Sequence, residues 1–103
     1  MKTSVVNCRT EPYDVYIGRP SDWGNPFSHV QDRRTLAKHR VATRAQAIQA
    51  YREWITSGDG RHLLARLGEL RGKRLGCWCK PSACHGDVLV ELIEHQQMAG
   101  TFF

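Results

Sequence analysis

Arg74-Leu75-Gly76-Cys77-Trp78-Cys79-Lys80-Pro81-Ser82-Ala83-Cys84-His85-Gly86-Asp87 changes character at Pro81. The run up to Cys79 reads as a strand. Pro81 ends it, because proline fixes φ and has no backbone donor. Ser82 then stands where it can cap a helix in which Val88, Leu89, Leu92 and Ile93 share a face. A strand passing into a helix through a short loop makes a sheet with helices packed on it the expected layer plan.

Upstream, Leu63, Leu64, Leu67 and Leu70 recur at the spacing of a buried helical stripe, after the breaker Ser57-Gly58-Asp59-Gly60. Before that breaker a helix begins at Thr43, whose hydroxyl can cap it while Gln46, three residues on, completes a capping box. Ile48, Tyr51 and Ile55 fall on one face of it. Thr3 to Cys8 and Asp14 to Gly18 are short β-branched runs on either side of Glu11-Pro12-Tyr13, and they read as strands able to pair as a hairpin. Prolines 20 and 26 with Gly24 make Arg19 to Phe27 a structured loop. The order β-β-α-α-β-α predicts one small α/β domain over residues 1–103, a mixed sheet of three or four strands with about three packed helices.

A chain of 103 residues with 41% hydrophobic and 24% charged residues can bury one core. No run approaches the roughly 18 apolar residues of a membrane span, and Met1 to Asn7 lacks the apolar core of a signal peptide. The expectation is a cytoplasmic protein without a membrane partner, in a bacterium or in the host of a phage. In that compartment the four cysteines read as free thiols, metal ligands or catalytic groups rather than disulfides. A net charge of +5 favours anionic partners such as nucleic acid, nucleotides or phosphorylated metabolites, although a soluble surface explains it equally well. Arg33, Arg34, Lys38, Arg40 and Arg44 concentrate that charge, without any named nucleic-acid motif.

Side chains two apart on a strand share a face, so Cys77 and Cys79 point together. Cys84 and His85, at the helix start, can converge on them. The free amides of a helix N-terminus lower the pKa of a thiol and also hold phosphate or carboxylate groups. Two chemistries stay open. Cys77, Cys79, Cys84 and His85 are a zinc-type donor set, though compressed into nine residues. Alternatively Cys84 is a nucleophile with His85, His62 or His29 as base and Asp87 as orienting acid. Neighbouring helix residues diverge by about 100°, so His85 serves a ligand or a cap as readily as it serves Cys84. In the loop, Arg19, Gly24 and Asn25, joined by Arg9 after the first strand, can grip an anion. Trp23 and Phe27 are expected to anchor the loop to the core.

Val5-Val6-Asn7-Cys8-Arg9, Tyr16-Ile17-Gly18-Arg19, Gly24-Asn25-Pro26-Phe27, Leu75 to Pro81 and Cys84-His85-Gly86-Asp87-Val88-Leu89 span nearly the whole chain. In them the sequence resembles the uncharacterised bacterial and phage family called domain of unknown function 4326. The resemblance implies a single compact domain marked by the Gly-Asn-Pro-Phe loop and the Cys-His pair, and it brings no assigned reaction. A more distant likeness is to domain of unknown function 488, in which a strand ending in cysteine is followed by Cys-His-Arg at a helix start. Gly86 stands here in place of that arginine. The leading expectation is a nucleotide-like or other phosphorylated ligand bound between the loop and the Cys84-His85 helix start, with the question of enzymatic action on it left open. The alternatives are a zinc-stabilised nucleic-acid-binding module and a phage or bacterial protein-interaction factor. An exposed Trp23 or Phe27 would argue for the last.

Overall fold

The computed structural model describes residues 2–29 and 39–99. Its centre is β5 (Arg74–Cys77), flanked by β1 (Ser4–Asn7) and β2 (Val15–Tyr16) in the order β1-β5-β2. Leu75, Gly76 and Cys77 are buried while β1 and β2 are half-buried, the contrast expected between a central strand and two edges. Register sets Val5 and Val15 both beside Leu75, and Asn7 beside Cys77.

The expected α/β order is the one found. The hairpin is not: β1 and β2 each pair with β5, and every ladder among the described residues is parallel. Asp14 explains the direction. Its carboxylate accepts from the Arg74 amide at 2.8 Å and from the Arg74 guanidinium, while its own N–H donates to the Arg74 carbonyl. The start of β2 is thereby clasped to the start of β5. The connector between β1 and β2 crosses β5 on the face where Gly76 has no side chain; a Cβ there would stand 2.7 Å from the Tyr13 ring. On the opposite face, by strand alternation, Leu75 and Cys77 point toward the helices.

Helix α1 (Arg44–Thr56) carries the expected capping box. The Gln46 amide donates to the Thr43 hydroxyl, and the Gln46 side chain accepts from the Thr43 amide. Ala47, Tyr51 and Ile55 are its buried stripe, with Ile48 partly buried beside them. The leucine segment Arg61–Glu69 winds as a 3₁₀ helix and still buries Leu63, Leu67 and then Leu70, while Leu64 packs at the edge. Helix α2 (His85–Ala99) starts later than Ser82. Ser82 is spent in a turn, its N–H donating to the Cys79 carbonyl, and Asp87 does the capping by accepting from the Cys84 amide at 3.1 Å.

Helix α2 lies on the sheet and α1 lies against α2. Gly86 sets the contact with the sheet: a Cβ would meet Ile17 Cδ1 at 2.8 Å and Val5 Cγ2 at 3.0 Å. A two-residue ladder that sequence patterning missed, β3 (Phe27–Ser28) with β4 (His39–Arg40), closes the loop side and stacks Phe27 on His39 at 5.1 Å. Of the basic stretch, Arg33, Arg34 and Lys38 lie outside the described residues. Among the described residues no helix is long and apolar enough to cross a membrane.

Candidate functional site

Strands β2 and β5 end side by side, and the chain leaves β5 to begin α2 beneath them. Between this edge, the start of α1 and the Gly-Asn-Pro-Phe loop is a cavity of about 490 Å³. Such clefts form where parallel strands end, because the backbones diverge into loops there and helix N-termini point at the gap.

The loop is held by its own polar groups. Arg19 donates from Nη1 to the carbonyls of Asn25 at 2.9 Å and Phe27 at 3.5 Å. Asn25 is 8% exposed; it donates to the Ala47 carbonyl of α1 at 3.1 Å and accepts from the Phe27 amide. Its side chain is therefore a bracket tying loop to helix rather than a free hand for a ligand. Gly24 lies under Arg19, whose Cα would be 3.0 Å from a Cβ, and it does not line the cavity. Gly18 does, and a side chain there would overlap the Tyr16 hydroxyl. That hydroxyl accepts from Trp78 Nε1 and donates to the Arg19 carbonyl. Arg19 thus lines the cavity with its remaining guanidinium donors unpartnered among the described residues.

At the inner wall stand Cys77, Cys84 and His85, their donor atoms all within 4.8 Å of one another. The Cys79 N–H donates to Cys77 Sγ at 3.3 Å, and the Cys77, Cys79 and Cys84 thiols influence one another's titration. Cys84, receiving from Cys77 and from the Gly86 N–H, is held below the usual thiol range despite its burial. For Cys77, the lowering hydrogen bond from Cys79 is outweighed by its donation to Cys84 and by burial, and the thiol is pushed up to about 11. Cys79 is raised too, by its bond to Cys77 and by burial, against the opposing influence of Arg44. His85 sits against the edge of Tyr51 at 4.9 Å and faces the Ile17 carbonyl across 2.8 Å from Nε2. A carbonyl only accepts, so Nε2 carries the proton and Nδ1 keeps its lone pair. Burial pushes the imidazole down to about 4, leaving it neutral near pH 7.

Asp87 does not orient His85. One carboxylate oxygen accepts from Lys80 at 2.9 Å and the other from the Cys84 amide. Arg9 lies outside the cavity, its guanidinium 5.9 Å from the Trp78 ring centre. His29 lines the cavity and His62 does not. Trp23 is buried in the core as an anchor, and Phe27 is half-buried at the cavity wall. Sequence reasoning missed Tyr16 and Trp78 as site residues. It also left Arg44 in the general basic stretch, whereas that side chain bridges to the Ala83 carbonyl and lines the cavity. The usable signal for Arg44 was its place immediately after the Thr43 cap, at a helix start.

A family model described as "Domain of unknown function (DUF4326)" matches residues 2–95. An uncharacterised 12.4 kDa protein from the nrdA-td intergenic region of Enterobacteria phage T4 is 33% identical over 91 residues, which cover 86% of this chain and 75% of the relative. No solved structure matches the chain.

Proposed function

We propose that the chain, which belongs to the family described as domain of unknown function DUF4326, binds a small phosphorylated, nucleotide-like ligand in the cavity at the edge of its sheet. The observation that carries this reading is the wall chemistry of that cavity. Arg19 and Arg44 supply charge, and Tyr16, Phe27 and Trp78 supply flat apolar surface. Guanidinium forks complement phosphate, while aromatic faces complement a base. A volume of about 490 Å³ suits a ligand of nucleotide size. Cys84 and His85 form the reactive end, and any transformation of the ligand is assigned there. The cytoplasm, where free thiols stay reduced, is the compartment that suits Cys8, Cys77, Cys79 and Cys84.

Calorimetric titration with nucleoside monophosphates, the matching nucleosides and inorganic phosphate tests the reading. Phosphate-bearing ligands are expected to bind more tightly than nucleosides. Arg44→Ala should weaken them by about tenfold or more, the value of one charge-assisted hydrogen bond. Equal affinity for nucleosides and nucleotides, or no heat from any of them up to about 10 mM, overturns it.

A further inference from the structure

Cysteines buried merely for packing behave as small hydrophobes, with no reason to aim their sulfurs at a common point. Here two thiols and an imidazole come within 4.8 Å of one another, all three buried. Two separate pieces of backbone supply them: Cys77 ends β5, while Cys84 and His85 are consecutive at the start of α2. The imidazole is also prepared in a specific way. Its Nε2–H is tied to the Ile17 carbonyl, which locks the ring and leaves Nδ1 as a free donor atom. Histidines that ligate metals are held by such a hydrogen bond on the opposite nitrogen.

We propose that Cys77, Cys84 and His85 hold one zinc-class divalent cation whose fourth coordination position opens into the ligand cavity. The inference rests on the ligand-binding reading for what fills that position, and on the donor geometry alone for the cation. Two thiolates and one imidazole are borderline-soft donors that suit zinc over magnesium or calcium. Three protein donors with a vacant fourth position characterise zinc sites that meet a substrate, whereas structural zinc is closed by four. Cys79, the remaining member of the sequence-level donor set, stands outside the three-donor cluster. Its amide donates to Cys77 Sγ at 3.3 Å and its thiol lies beside Arg44, the position of a supporting group around a ligating thiolate. All three donors line the cavity, so a phosphate or carbonyl oxygen of the bound ligand is the group positioned to complete the tetrahedron. Two thiolates neutralise the dication, and Arg19 and Arg44 are left to meet the charge of the ligand.

The full chain, purified without chelator and then exchanged with cobalt(II), provides the test. About one equivalent of cobalt should bind, with thiolate-to-cobalt charge transfer in the near ultraviolet and the strong visible bands of a tetrahedral ion. Zinc should displace it. Cys84→Ser and His85→Gln should each lower affinity by more than about a hundredfold, whereas Cys79→Ser should keep the charge-transfer band. Adding a nucleoside monophosphate should shift the visible bands of wild-type protein. Absence of stoichiometric cobalt or zinc binding by folded wild-type protein, checked by circular dichroism, overturns the proposal without reference to any variant. Loss of the band in Cys79→Ser, or visible bands unmoved by saturating nucleotide, overturns the open fourth position. Separate titrations distinguish the two readings: nucleotide binding by protein that takes up no metal leaves the ligand site standing when the cation site fails, and stoichiometric cobalt binding by protein that takes up no nucleotide does the reverse.

Discussion

Gly86 governs how near the start of α2 comes to the sheet, and with it where Cys84 and His85 stand. An alanine methyl would press on Ile17 and Val5 at 2.8 and 3.0 Å. Overpacking of that kind costs about 1–3 kcal/mol, partly offset by up to about 1 kcal/mol from the better helix propensity of alanine. Gly86→Ala should therefore lower the melting temperature by several degrees, read in a thermal scan; an unchanged or higher value contradicts the close packing. The same crowding leaves no room for a larger side chain at this position. At this scale the sequence was informative about chemistry and silent about allegiance. Cys84 and His85 could be placed at a helix start from Pro81 onward. That Asp87 caps Cys84 and pairs with Lys80, rather than orienting His85, depends on which oxygen faces which donor, and no spacing rule contains that. Asn25 belongs to the same class: its amide is consumed by Ala47 and Phe27, contacts set by how the loop folds back on α1.

Elements whose signals are local were legible. The Thr43–Gln46 box at the start of α1 is one, since both partners lie within a single turn. Thr43→Ala should remove about 1 kcal/mol of stability, measured as a shift in the urea midpoint at constant slope. It should also loosen Arg44, the next residue, so a nucleotide affinity that falls with stability is the expected companion result. The pairing of β1 and β2 was not legible in this way. Both strands seek β5, some sixty to seventy positions away, and only the Asp14–Arg74 clasp and the space over Gly76 settle that they run parallel to it. The leucine segment shows a further limit. Its apolar spacing marks what is buried, yet Leu63, Leu67 and Leu70 reach the core from a tighter winding than the spacing suggests.

For the molecule as a whole, surface ion pairs tie distant parts of the chain, Asp14 to Arg74 and Asp22 to Arg66, and Arg66 also pairs with Glu69 three residues on. The Arg74 hydrogen bonds hold the Asp14 carboxyl below its usual range, and Arg66 does the same for Glu69. A carboxylate depressed in the folded state contributes stability that is fully present above its unfolded pKa, near 4, and is lost as pH falls through the folded value. The melting temperature should therefore drop on acidification below about pH 4, and less steeply in the double variant Asp14→Asn, Glu69→Gln. An identical acid limb in wild type and variant contradicts that assignment. Above this limb the fold presents one edge at which two parallel strands, a helix start and two arginines meet. The account stands on that edge being a ligand site. Amide mapping of the full chain during titration with a nucleoside monophosphate tests it most directly. Saturable shifts confined to Gly18, Arg19, Arg44, Ala83 and His85 are the predicted result, and shifts absent from these residues would contradict it.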